Sequence, residues 1–254
     1  MMSIGSVKSA GSAGNYYTDK DNYYVIGSMD ERWQGKGAEA LGLEGKPVDK
    51  AVFTEILKGK LPDGSDLTRM QDGTNKHRPG YDLTFSAPKS VSVMAMLGGD
   101  KRLIDAHNQA VTKALQQGET LAATRVMTDG KSETVLTGNL IVAKFTHDTN
   151  RNEEPQLHTH AVVMNATQNG DKWQSLGTDT VGKTGFIENV YANQIAFGKI
   201  YREELKPLVE ILGYKTEVVG KHGMWEMNEV PVEPFSTRTQ EVREAAGPDA
   251  SLKS

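Results

Sequence analysis

Leu157-His158-Thr159-His160-Ala161-Val162-Val163 is the stretch on which the fold turns. Its apolar and β-branched residues bracket two histidines at alternate positions, and residues i and i+2 of a strand point to one face. His158 and His160 can therefore converge on one ion. Upstream, residues 139–145 read as a second strand that delivers His147 to the start of a loop, 148–156. Antiparallel pairing lays His147 opposite the other two histidines. Three neutral imidazoles on one sheet face make a divalent-metal tripod with open positions for a substrate. Two histidines at i and i+2 alone would suit a solvated strand equally well; the third, at a hairpin-compatible spacing, favours the metal. Neutral ligands leave the ion's charge uncompensated, which suits a phosphate-bearing substrate.

Outward from this hairpin, residues 81–86 alternate as a strand, with Asp82, Thr84 and Ser86 on one face and Leu83 and Phe85 on the other. Pro88 starts a short apolar helix or strand through Leu97. From Asp100 the period turns helical, with Leu103, Ile104, His107, Val111, Ala114 and Leu115 on one stripe running to about Ala123. Further strands are predicted at 125–128, 133–136 and 158–167. A helix over 186–206 puts Val190, Tyr191, Phe197, Tyr201 and Leu205 on its buried side. Pro207 is expected to kink or end it, ahead of a short helix at 208–212 and a hairpin at 214–219 and 223–227. Nearer the start, 52–57 reads as a short helix, and 27–45, dominated by glycines and charges, as an excursion with limited regular structure. The order implies an α+β fold, an antiparallel sheet with helices on one face and the histidines reachable from its open face. Residues 1–234 read as one domain; 235–254, polar and proline-bearing, as a linker or the truncated start of a following segment.

Composition narrows the class. The 254-residue chain carries a net charge of −4, which argues against coating nucleic acid by bulk electrostatics but leaves room for a local basic cleft. With no cysteine there is neither a disulfide nor a thiolate metal site, which fits a cytoplasmic protein. No apolar run approaches the ~18 residues of a membrane span, so no membrane insertion is expected. Residues 1–5 lack the basic region and apolar core of a secretory signal.

A nucleophile is the next requirement. Asn15-Tyr16-Tyr17 and Asn22-Tyr23-Tyr24 repeat at a spacing of seven, nearly two helical turns, so Tyr16 and Tyr23 would share a face. Paired tyrosines more often pack a core or stack bases; only the company of the histidines favours nucleophiles. Asp82 could accept the second N–H of a metal-bound imidazole, fixing its tautomer, or deprotonate a tyrosine. Lys89, Lys183, Asn193, Gln194 and Arg202 carry side chains able to hold phosphates or read base edges, and serve equally well as ordinary helix-surface residues. His77, His107 and His222 read as unrelated to the metal.

Asn15-Tyr16-Tyr17 with Tyr23-Tyr24, Tyr81-Asp82-Leu83-Thr84-Phe85-Ser86-Ala87-Pro88-Lys89-Ser90, Gln156-Leu157-His158-Thr159-His160-Ala161 and Gly182-Lys183-Thr184-Gly185-Phe186-Ile187-Glu188-Asn189 together resemble the MobF conjugative relaxases, histidine–hydrophobic–histidine endonucleases. Thr159 departs from a strictly hydrophobic central residue. The resemblance implies a five-stranded antiparallel palm with helices behind it, of the relaxase and replication-initiator kind. It also implies nicking and religation of single-stranded DNA at a plasmid origin of transfer. In that reading Tyr16 attacks the scissile phosphate, giving a 5′-phosphotyrosine and a free 3′-hydroxyl. His147, His158 and His160 match the metal ligands, Asp82 the supporting acid, and Tyr17, Tyr23 and Tyr24 the additional tyrosines. The implied cofactor is one divalent ion, magnesium or manganese in use, with zinc, nickel or cobalt compatible with imidazole. The implied partners are origin DNA, relaxosome accessory proteins and a coupling protein. The implied setting is the bacterial donor cytoplasm, with transfer to the recipient bound to DNA. Without a Gly-x-x-x-x-Gly-Lys-Ser/Thr loop, the chain reads as a fragment of a longer relaxase–helicase. Two readings compete on the residues alone: a three-histidine hydrolase with water as nucleophile, and a metal-stabilised single-strand binding module.

Overall fold

The sheet is set by strands whose side chains alternate between two different environments. The structure, a computed structural model, describes residues 1–18, 31–150, 152, 154–178 and 185–230. Five strands, β1 (Met2–Val7), β2 (Arg32–Gln34), β3 (Gly80–Ser86), β4 (Val142–Thr149) and β5 (Pro155–Met164), form one antiparallel sheet in the order β1-β3-β5-β4-β2. The register sets Thr84 against His160, Ser86 against His158 and His147 against His158. Tyr81, Leu83, Phe85, Leu157, Ala161 and Val163 then fall on one face, and Asp82, Thr84, His158 and His160 on the other, as a period of two requires.

The first face is buried beneath α4 (Lys89–Met96), α5 (Arg102–Glu119), α6 (Phe186–Ala192) and α7 (Gln194–Ile211), joined in one core with Leu103, Val111, Phe186, Tyr201 and Leu205. The predicted apolar stripe on α5 is buried at Leu103, His107, Val111, Ala114 and Leu115. Sequence led us to expect helices on that face alone. The other face is also covered at one end, by α1 (Ala10–Thr18) and α3 (Lys50–Lys58), which pack Ala13, Tyr17, Phe53, Ile56 and Leu57 on Trp33, Ala143, Phe145 and Val162. α3 starts where the Asp49 carboxylate accepts Val52 N–H at 3.1 Å and stops at Gly59, φ 101°.

Several local expectations are corrected. The stretch 27–45, expected to be irregular, supplies edge strand β2 and the short helix α2 (Lys36–Ala40) in its described part. Its anchor is Trp33, 2% exposed. Gly35, φ 116°, turns the chain against the Leu140 carbonyl where a Cβ would collide. β4 runs through His147 to Thr149, so the loop is shorter than expected. Asn150 Oδ1 accepts the N–H groups of Asn152 (2.9 Å) and Glu154 (3.0 Å), closing the turn tightly enough for pairing to continue.

The single helix expected over 186–206 is two, broken at Asn193, whose side chain donates back to Asn189 O at 2.8 Å. Pro207 lies inside α7 and does not end it, because Leu205 and Val209 on either side are fully buried. Tyr191, expected on the buried side, is 52% exposed. The segment 235–254 lies outside the described residues.

Candidate metal centre and nucleophile

β4 and β5 bring three imidazoles to the sheet face that α1 and α3 partly cover. The ligand atoms of His147, His158 and His160 all lie within 4.8 Å of one another. Ring centroids are 5.1 Å apart for His158 and His160, 5.3 Å for His147 and His158, and 5.5 Å for His147 and His160. Two of the rings are held from behind through Nδ1. His158 Nδ1 donates to Gln156 O at 2.8 Å, and His160 Nδ1 to Asp82 Oδ2 at 2.8 Å, leaving each Nε2 lone pair for an ion. Burial lowers His147 to about 3 and His158 to about 4, with the neighbouring imidazoles adding to the shift for His147. His147 and His158 are therefore neutral at any physiological pH. Mutually close, with two of the rings oriented by partners behind them, the three residues fit a divalent metal.

Asp82 is the hub of the hydrogen bonds around this group. Its Oδ2 accepts from His160 and from the Tyr17 hydroxyl (2.6 Å), and its Oδ1 from Thr84 Oγ1 (3.0 Å). Burial opposes its ionisation, but the bonds from His160, Tyr17 and Thr84 and the His160 charge outweigh it, and the carboxyl stays below its ordinary range. Asp82 thus touches both partners that the sequence offered it, an imidazole and a tyrosine hydroxyl.

The tyrosine pair divides into two environments because adjacent helix positions face different ways. Tyr17 is 8% exposed, stacked on Phe145 (5.5 Å) and edge-on to Phe53 (6.1 Å). Burial, then the charge and hydrogen bond of Asp82, push its phenol far above the ordinary tyrosine range. Tyr16 is 41% exposed, with its ring edge-on to Tyr17 at 4.9 Å and to His160 at 6.2 Å. The arrangement places an accessible phenol beside three metal-type ligands, the minimum for in-line attack on a bound phosphodiester.

Tyr23, Tyr24 and Lys183 lie outside the described residues. The other basic and polar candidates make hydrogen bonds within the fold. Lys89 Nζ donates to Pro155 O at 3.0 Å, Gln194 Nε2 to Met2 O at 3.1 Å, and Arg202, 5% exposed, to His222 O at 2.9 Å. Asn193 is exposed at the α6–α7 break. Sequence reasoning passed over Thr84 as a partner of Asp82 and His160, although strand alternation placed it on their face. The Gln156 carbonyl that fixes His158 leaves no sequence signal, being backbone.

The TrwC relaxase family model matches residues 10–251. The chain is 75% identical over all 254 residues to the multifunctional conjugation protein TraI of Escherichia coli K12, of which it spans only 14%. The conjugative relaxase TrwC in complex with oriT DNA, in a metal-bound structure, superposes with a TM-score of 0.82 and 36% identity, over 99% of this chain and 87% of that one. TrwC with a 27-mer DNA comprising the recognition hairpin and the cleavage site gives 0.80 and 34%, over 99% and 86%.

Proposed function

Because the chain belongs to the TrwC relaxase family, we propose that it nicks and rejoins one strand of plasmid DNA at an origin of transfer, with Tyr16 as nucleophile. The observation that carries this reading is the half-exposed Tyr16 ring standing 6.2 Å from His160, at the edge of the histidine cluster. The Tyr16 oxygen bonds to phosphorus as the bond to the 3′ oxygen breaks. The phenolic proton leaves and the 3′ oxygen gains one, so the products are a 5′-phosphotyrosyl strand and a free 3′-hydroxyl. The phosphodiester's energy is kept in the adduct, and the reverse attack by a 3′-hydroxyl rejoins the strand without another energy source.

His147, His158 and His160 would hold the divalent ion, which when bound supplies positive charge against the phosphate oxygens as negative charge grows there. Magnesium or manganese is the proposed ion in use; zinc, nickel and cobalt suit the imidazole set. Asp82 keeps His160 in the Nδ1–H tautomer, and Tyr17 closes the carboxylate off from water. Tyr23 and Tyr24 are proposed as nucleophiles for a second transfer that ends the process. Lys89, Lys183, Asn193, Gln194 and Arg202 are proposed to contact DNA, directly or by shaping the surface around it. Relaxosome accessory proteins and a coupling protein are the proposed partners, and the donor cytoplasm the proposed setting. No helix among the described residues is long and apolar enough to cross a membrane.

The test is incubation with a labelled single-stranded origin oligonucleotide and manganese, followed by denaturing electrophoresis and mapping of the adduct. The expected result is a covalent protein–DNA species on Tyr16 that Tyr16→Phe abolishes. Undiminished nicking by Tyr16→Phe without a covalent adduct would make water the nucleophile.

A further inference from the structure

Thr159, between the two histidines of β5, turns its side chain away from them into the helix-covered core, where it is 1% exposed. There it belongs to a chain of hydrogen bonds whose direction can be worked out. Thr146 Oγ1 donates to Asn108 Oδ1 at 3.2 Å, which uses its only proton. The 2.8 Å contact between Thr146 and Thr159 hydroxyls must then be donated by Thr159. Thr159 in turn accepts from His107 Nε2 at 2.8 Å, so His107 Nδ1 is the unprotonated nitrogen and accepts from the Tyr201 hydroxyl at 2.6 Å. Burial agrees with this assignment: His107 is fully enclosed and lowered to about 3, and Tyr201 stays a neutral phenol. Each hydroxyl and imidazole proton in the chain Tyr201–His107–Thr159–Thr146–Asn108 has an acceptor.

Two geometric facts give the chain a consequence. His107 and Asn108 are consecutive on α5, so both ends of the central pair are fastened to one rigid helix. Thr146 and Thr159 are direct cross-strand partners, and the next pair along the ladder is His147 and His158. We propose that Thr159 is a positioning residue for the metal centre, through which α5 fixes the tilt and register of the β4–β5 hairpin and so the aim of His147, His158 and His160. An apolar residue at this place would pack without direction. A hydroxyl held on two sides fixes the backbone between two ligands, and imidazole ligation tolerates errors of only about 0.2 Å. The proposal rests on reading the three histidines as metal ligands.

The test uses the whole chain and Co2+, whose visible absorption reports coordination geometry. Thr159→Val keeps the volume but leaves the His107 N–H without an acceptor; Co2+ affinity is expected to fall about ten-fold, with a changed absorption band. Thr159→Ser should restore both. The combination Thr159→Val, His107→Leu and Tyr201→Phe removes the stranded N–H together with the Tyr201 hydroxyl that would otherwise lose its acceptor, so its metal-free melting temperature should recover while Co2+ binding stays weak. That combination also carries the comparison if the single variant does not fold. Wild-type Co2+ affinity and spectrum in a folded, destabilised Thr159→Val protein would overturn the proposal and leave the metal centre standing. Failure of the unaltered chain to bind Co2+ would overturn both.

Discussion

Two adjacent tyrosines meet the same histidine, His160, and come out chemically different, and the difference lies in one carboxylate. Tyr17 spends its hydroxyl on Asp82, while Tyr16 stands in reach of solvent and of any strand laid across the site. Tyr17→Phe is therefore expected to keep the adduct on Tyr16 and to cost about 1.5–3 kcal/mol of stability, the range for a bond to a charged group, read from a denaturant midpoint. Loss of the adduct with normal metal binding would reverse the assignment of the two tyrosines. Asp82→Asn removes the charge that holds His160 Nδ1–H, and metal affinity should fall about 10–100-fold, measured by calorimetry. An unchanged affinity would show that the carboxylate serves the tyrosine and not the imidazole.

At the scale of elements, the proposed nucleophile Tyr16 is only as well placed as α1, and α1 packs against α3. Gly14 lies where an added Cβ would collide with Thr54 Oγ1, itself bonded to the Lys50 carbonyl at 2.9 Å. Gly14→Ala should push α1 off α3 and slow adduct formation ten-fold or more, since small misplacements of reacting groups cost about that much or greater. Metal affinity should stay unchanged, because the histidines sit on β4 and β5. Thr54→Ala in the same chain opens the space and should recover the rate. A rate indifferent to Gly14→Ala would mean α1 is repositioned when DNA binds. This close approach could not be read from the sequence, where Gly14 is one small residue among several. The β5 histidines, their strand alternation and the face shared by Asp82 and Thr84 were legible because a period of two leaves little choice. The break at Asn193, the passage of α7 through Pro207 and the reach of β4 past His147 were not. The passage through Pro207 depends on the burial of Leu205 and Val209, which is not a local property, whereas the reach of β4 rests on a local Asn150 turn that the strand alternation does not register.

At the scale of the whole molecule, three histidines are enclosed in neutral form, two at the metal centre and one beneath it. His107 and His147 titrate at about 3 and His158 at about 4, against about 6.5 for an ordinary histidine. The folded pKa values are lowered, so between about 6.5 and 4 the unfolded chain binds protons that the folded chain refuses. Stability is full above about 6.5 and declines on acidification, each group contributing up to about 1.4 kcal/mol per pH unit in that window. Bound metal acts in the opposite sense. At a free concentration 100 times its Kd it adds about 2.7 kcal/mol, and it competes with protons for the same imidazoles. His147 and His158 do not take a proton in the folded state until pH falls toward 4, so competition from protons at these two ligands should leave the metal increment standing at pH 5 and remove it near 4. Denaturant midpoints with and without Mn2+ from pH 7.5 to 4 measure both effects. An increment already gone at pH 6 would mean that the ligand histidines titrate as exposed side chains, and that the enclosure keeping this centre neutral is not present in solution.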